Sequence, residues 1–209
     1  MMFKKFLIAL SVVLTVGVHA AEPEVDLKDP YKMVRKVSDN TFARITKDQP
    51  LIAKDKEYLR VIVEEELMPY IDYKYAALRV LGNHVSKVRA IEDKEEKAKA
   101  IKDLQHFIDV FQKYLIATYA GVFTQYTNQS VEFGPAQPFK GQDVVLVKTK
   151  IVEPGKPDIK IDFKVREDRD GDWRAYDMIA EGISLLDAKQ SELQGILRQQ
   201  GIEHVSDLL

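Results

Sequence analysis

Glu66 and Asp177 are the residues most open to a chemical role. Glu66 falls on the apolar face of a helical stretch, and Asp177 lies among apolar neighbours in an extended one. Each is therefore a candidate buried acid with a displaced pKa. Such a pair would suit the general acid–base work of an isomerase or hydrolase. The same placement suits a carboxylate that accepts hydrogen bonds from a backbone end, a tyrosine or an arginine and fixes packing, and no partner in the sequence positions either acid for catalysis. The other chemistries fall away. Cysteine is absent, which excludes disulfides, thiolate metal sites and cysteine nucleophiles. His84, His106 and His204 are not spaced from one another, or from a carboxylate, as a metal site on one helix face requires. No phosphate-cradling glycine loop and no Gly-x-Ser-x-Gly elbow occurs. Asp168, Asp170 and Asp172 mimic the start of a calcium loop, but Trp173 stands where glycine is needed and Ile179 where a bidentate glutamate is needed. Asp170-Gly171 reads instead as a hairpin turn. Asn128-Gln129-Ser130 fits a glycosylation acceptor pattern.

The elements that position these residues belong to one domain. The chain has 209 residues, 45% hydrophobic and 31% charged, with 31 Lys+Arg against 33 Asp+Glu. This balance argues against a nucleic-acid binder, which would carry a basic excess. Residues 1–20 read as a signal peptide: Lys4 and Lys5 form a positive start, Phe6 to Val18 is an apolar run too short to span a bilayer, and Val18-His19-Ala20 offers a cleavage site. Cleavage after Ala20 leaves a single domain, 21–209, exported and soluble, with no cysteine to carry a lipid anchor. Without Lys4 and Lys5 it holds 29 basic and 33 acidic residues, a net charge of −4.

The first half of that domain predicts helices. Asp29-Pro30 is an N-cap followed by proline at the first helical position. Val34, Val37, Thr41, Phe42 and Ile45 recur at helical spacing until Pro50. A second helix begins near Asp55 and breaks at Pro69; a third runs through Tyr73, Ala77 and Leu81 to Gly82, a C-cap. The charged stretch 86–103, with pairs such as Glu95 and Lys99, predicts an exposed helical face that merges into a long aromatic stripe from Leu104 to Tyr126. After Asn128 the period becomes two. Val131 and Phe133, then Val145 to Ile151, then Ile159 to Val165, predict antiparallel strands with one wet face, followed by a strand from Trp173 to Ile179. A helix from Ile183 to Gln200 and a short turn close the chain. The fold class is α+β, with helices packed on one face of a curved antiparallel sheet.

Several motifs run in order along the chain: Asp29-Pro30-Tyr31; Tyr58-Leu59 with Ile62-Val63; Glu66-Leu67-x-Pro69-Tyr70-x-Asp72; Val80-Leu81-Gly82; Phe111-x-x-Tyr114-Leu115 with Thr118-Tyr119; Trp173-x-x-Tyr176-Asp177-Met178; and Glu181-Gly182-Ile183-Ser184-Leu185. The set resembles the MlaC family, also called toluene-tolerance or Mla-type periplasmic phospholipid-binding proteins, over about residues 29 to 208. It departs from the family after Gly82, where Asn83-His84 leads into a longer charged insertion, 83–103. The resemblance implies a nuclear-transport-factor-like cone enclosing an apolar lipid cavity. It further implies a periplasmic, monomeric carrier, not an enzyme, with no cofactor and with phospholipid as cargo. The carrier would shuttle lipid between an outer-membrane lipoprotein–porin complex and an inner-membrane ABC transporter with its substrate-binding ring.

A two-chain phospholipid carries roughly thirty methylenes, so at about 0.8 kcal/mol each some 24 kcal/mol opposes its release into water. A carrier must offer walls of comparable apolarity. Candidate walls are Ile62, Val63, Leu67, Tyr73, Ala77 and Leu81 from the early helices, Phe107, Phe111 and Leu115 from the long one, and Val147, Ile161, Phe163, Trp173 and Met178 from the sheet. Two alternatives stand beside the carrier: a periplasmic adaptor or chaperone that binds protein through aromatic grooves, and an enzyme using Glu66 or Asp177.

Overall fold

The computed structural model describes residues 24–126 and 129–209; the expected signal peptide and Asn128 lie outside them. The Asp29 side chain accepts from the amides of Tyr31 and Lys32 and opens helix α1, Pro30–Lys47. Proline at N1 costs nothing here because its missing N–H would have had no helical partner. The helix ends before Pro50, at the Asp48 cap, and Pro50 instead occupies the first turn of the short α2, Gln49–Ile52. Helix α3, Tyr58–Glu66, buries Leu59, Ile62 and Val63. Pro69 does break it, into a single 3₁₀ turn, Met68–Tyr70. Asp72 then caps α4, Tyr73–Leu81, which stops at Gly82 with φ +52°.

The charged stretch is not continuous with the aromatic stripe. Helix α5, Asn83–Ala90, ends at Ile91, and α6, Lys94–Phe123, restarts after Asp93, whose side chain accepts from the amides of Glu95 and Glu96. An aspartate poised to cap a new helix competes with continuing the old one. Lys99 pairs with Asp103 and with Glu203 at 3.1 Å, where Glu95 was the expected partner.

The sheet is antiparallel in the order β1-β2-β3-β4-β5, comprising β1 Ser130–Phe133, β2 Val144–Val152, β3 Ile159–Glu167, β4 Trp173–Ala180 and β5 Ile183–Ser184. Alternation is clean only in part. Val145, Val147 and Val165 are buried, while Ile159 is 47% exposed at the strand's start and Val144 and Leu146 emerge on the wet face. A bulge between Lys164 and Val165 shifts the β3–β4 register so that Lys164 faces Asp177. Ile183-Ser184 pairs with β4 rather than starting the last helix. Helix α7, Leu185–Asp207, is capped by Ser184 and interrupted at Gly201, φ +85°, beyond which the expected short turn is a further helical segment that buries Ile202 and Val205.

Three apolar clusters result. Met33, Val34 and Val37 of α1 pack on Val145, Val147, Val165 and Trp173 of the sheet. Ile45, Leu59, Ile62, Val63, Met68 and Ala120 join α1, α3 and the end of α6. Residues of α4, α6 and α7, with Phe107 and Phe111 at the centre, form the third.

Candidate functional site

Helix α6 carries Phe111, Leu115, Thr118 and Tyr119, spaced so that they share one face. That face meets Ile71, just ahead of α4, and Ala76 within it, Tyr176, Asp177 and Met178 of β4, and Leu185, Leu186 and Lys189 of α7, and together they line a partly open cavity of ≈ 60 Å³. A liquid water takes about 30 Å³ and a pocket for a drug-sized ligand at least about 300 Å³. In this conformation the space admits a few methylenes.

The charged groups of the lining are held. The Asp177 carboxylate accepts from Lys164 Nζ at 2.8 Å, Ser184 Oγ at 2.7 Å and the Leu186 amide at 3.1 Å. Ser184 Oγ in turn accepts from the Asp187 amide and caps α7. Asp177 thus welds β4 to the positive end of a helix. Burial acts to lower the Lys164 pKa, but the hydrogen bond and charge of Asp177 outweigh it, and the ammonium stays above its ordinary range. Lys189, its side chain 17% exposed, pairs with Glu192 at 2.8 Å and stands 4.7 Å from the Tyr114 ring centre. Its burial is likewise overcome by these partners. Burial pushes the Tyr119 phenol up to about 12, with the Asp177 charge adding to the effect.

Glu66 lies elsewhere. It accepts from Arg44 Nη1 at 3.3 Å, and the same guanidinium grips Asp48, Glu65 at 3.1 Å and the Tyr58 hydroxyl at 3.2 Å. Neither carboxylate faces the other across a shared space. Both take the packing role left open by the sequence, bound by a backbone end in one case and by an arginine in the other.

The sequence-expected walls are distributed unevenly. Phe111, Leu115 and Met178 line the cavity. Tyr73, Ala77, Leu81 and Phe107 pack in the helical cluster around it. Ile62 and Val63 belong to the α1–α3 cluster, and Val147, Phe163 and Trp173 to the α1–sheet cluster. Leu67 touches both of the last two, and Ile161 is half-buried on β3. The other lining residues, Lys189, Leu186 and Ala76 among them, were missed as walls. Lys189 and Leu186 follow a short strand that sequence periodicity merged with the last helix, and Ala76 differs from the expected Ala77 by one step of helical phase. A second, open groove of ≈ 390 Å³ lies between Leu51 and Val61 and contains none of the expected residues. Among the described residues no cluster of histidine or carboxylates could hold a metal ion, and no helix is long and apolar enough to cross a membrane.

The class defined here is an α+β protein with a small, mostly apolar, partly open cavity between its helices and β4 of its sheet. Its relatives narrow this further. The MlaC protein family matches residues 35–209, and the chain belongs to that family. It is 30% identical, over 96% of its own length and 89% of the relative's, to the intermembrane phospholipid transport system binding protein MlaC of Haemophilus influenzae (strain Rd). Its fold is similar to the crystal structure of a phospholipid-binding protein from Ralstonia solanacearum in complex with a phospholipid, with a TM-score of 0.72 and 21% identity, over 86% of this chain and 94% of that one.

Proposed function

We propose that this protein is a soluble periplasmic phospholipid carrier, exported through a cleaved signal peptide. As a monomer it moves lipid between an outer-membrane lipoprotein–porin complex and an inner-membrane ABC transporter with its substrate-binding ring, and so maintains outer-membrane lipid asymmetry. The observation that carries the reading is the mostly apolar cavity in a chain of the MlaC family. The relative from H. influenzae is named for intermembrane phospholipid transport, and a carrier of such cargo needs a dry space because water offers acyl chains no comparable environment.

Acyl chains exceed the ≈ 60 Å³ space many times over, so loading separates the walls. The seam between α6 and the β4–α7 junction is the natural line of parting, since the α4–α6–α7 cluster and the α1–α3–α6 cluster meet there without a single continuous core. Glu66 and Asp177 contribute by fixing the elements on either side, and the reading assigns them no proton transfer. Organic extraction and mass spectrometry of protein isolated from its native periplasm should yield phospholipid at a fixed ratio to protein. A protein that is lipid-free on isolation and takes none from vesicles would refute the proposal.

A further inference from the structure

The cavity combines an apolar floor with one cation. Phe111, Leu115 and Met178 supply the floor, and Lys189 is the cation among the residues that line it. The Lys189 side chain is 17% exposed, the lowest value among the described ion-paired lysines. It stands one helical turn from Leu185, which also lines the cavity and is 40% exposed, so Lys189 marks the edge where the apolar space meets water. The Tyr114 ring, 4.7 Å from the ammonium, holds it against α6. Asp177, the carboxylate of the lining, is already neutralised by Lys164 at 2.8 Å. Lys189 has only Glu192, three residues along the same helix, and that carboxylate is 59% exposed. Such a pair is weak, because water competes for the exposed partner.

Taking the carrier reading as its basis, we infer that Lys189 binds the phosphate of the cargo at the cavity rim, releasing Glu192 to solvent, and makes the protein select phospholipids over glycerolipids that lack a phosphate. A phospholipid carries its phosphodiester charge a few bonds from the start of its acyl chains. Chains seated on the apolar floor therefore place that charge at the floor's edge, where Lys189 stands. Burial opposes the charge of the ammonium, but Glu192 and Tyr114 outweigh it, and an incoming phosphate takes over from Glu192. The exchange favours loading. A shielded ammonium–phosphate contact is stronger than one to an exposed carboxylate, and Glu192 loses little by turning fully into water. Asp177 does not oppose the anion, since Lys164, Ser184 and the Leu186 amide occupy its oxygens. The remainder of the headgroup stays in solvent, so selection acts on the phosphate and not on what it bears.

The test is uptake, by the full mature protein after delipidation, from phosphatidylglycerol vesicles doped with diacylglycerol of matched chains, each bound lipid being normalised to its share of the vesicle. The wild type should prefer the phospholipid. Lys189→Gln should lower that preference by about five- to thirtyfold, the range of one hydrogen bond between charged groups at a partly wet site, and Lys189→Arg should keep it. Glu192→Gln removes the competing carboxylate and should raise phospholipid affinity about two- to fivefold, a reading that stands even where Lys189→Gln fails to fold. An excess of inorganic phosphate at constant ionic strength should leave loading unchanged. Equal uptake of the two lipids by the wild type, an undiminished preference in Lys189→Gln, or no gain in Glu192→Gln would each overturn the inference while leaving the carrier reading intact. Competition by inorganic phosphate would make the rim a site for free phosphate and overturn the lipid assignment. Uptake of neither lipid by the wild type would overturn the carrier reading and the inference with it.

Discussion

Asp177 accepts three hydrogen bonds with its side chain 1% exposed, while its partner Lys164 keeps 29% of its side chain in contact with water. Removing the carboxylate strands the Leu186 amide and loosens the Ser184 cap, whereas Lys164 can turn outward. Asp177→Ala should therefore cost about 3 kcal/mol, the low end for a broken buried pair, and Asp177→Asn about half of that, as read by urea unfolding. Asp48 carries a pH signature. The Arg44 guanidinium, aided by the Tyr58 hydroxyl, holds its carboxyl below the ordinary aspartate value of 3.8. The folded state then resists protonation more than the unfolded one, so the stabilisation is present above about pH 4 and is lost as pH falls through the folded value. Asp48→Asn should flatten the fall in melting temperature between about pH 5 and pH 2. That Asp177 is a buried acid was legible in the sequence; Asp48 was not singled out there, and the partner of Asp177 was hidden because the register shift at Tyr176 of β4 decides that Lys164 faces it.

The junction of α4 with α5 rests on Gly82, with φ +52° and ψ −123°, a combination that side chains other than glycine rarely adopt. A methyl there would also meet Gln190 Nε2 at 2.9 Å, and that amide donates to the Arg79 carbonyl at 2.6 Å, tying α7 to the end of α4. Gly82→Ala should destabilise by about 1–3 kcal/mol in thermal or chemical unfolding. Helix α6, by contrast, owes its start to Asp93 and its position to the apolar face around Phe107 and Phe111. Its bridge from Lys99 to Glu203 is exposed at both ends, so Lys99→Ala should change stability by less than about 1 kcal/mol. Cap residues and periodicity announced nearly every helix. The divided charged stretch and the strand ahead of α7 were hidden because a period-counting reading runs straight through a three-residue break.

Across the whole molecule, the apolar residues serve three clusters that share few members, an arrangement able to part without exposing one central core. Cargo that binds only the folded protein should raise its stability by mass action, about 4 kcal/mol at a thousandfold excess over the dissociation constant, so delipidated protein should melt lower and recover on reloading. Trp173, the sole tryptophan, reports on a different region. It is 2% exposed and lies edge-to-face with Phe139 at 5.8 Å in the α1–sheet cluster. Its quenching by acrylamide should be weak with or without lipid; strong lipid-dependent quenching would place the opening seam on the α1 side of the sheet.

Helical periodicity, proline and aspartate caps, the Asp-Gly hairpin and the switch from period 3.6 to period 2 together determined the α+β class and the order of nearly all elements, because those signals are local and each is read within one element. The ordered motifs also carried the family resemblance. The tertiary structure alone decided that Phe111, Leu115 and Met178 border a cavity while Ile62, Val63 and Trp173 fill clusters, and that Asp177 closes on Lys164 and Ser184. An apolar stripe looks the same whether its neighbour is another side chain or an open space, and the difference is set by how distant segments meet.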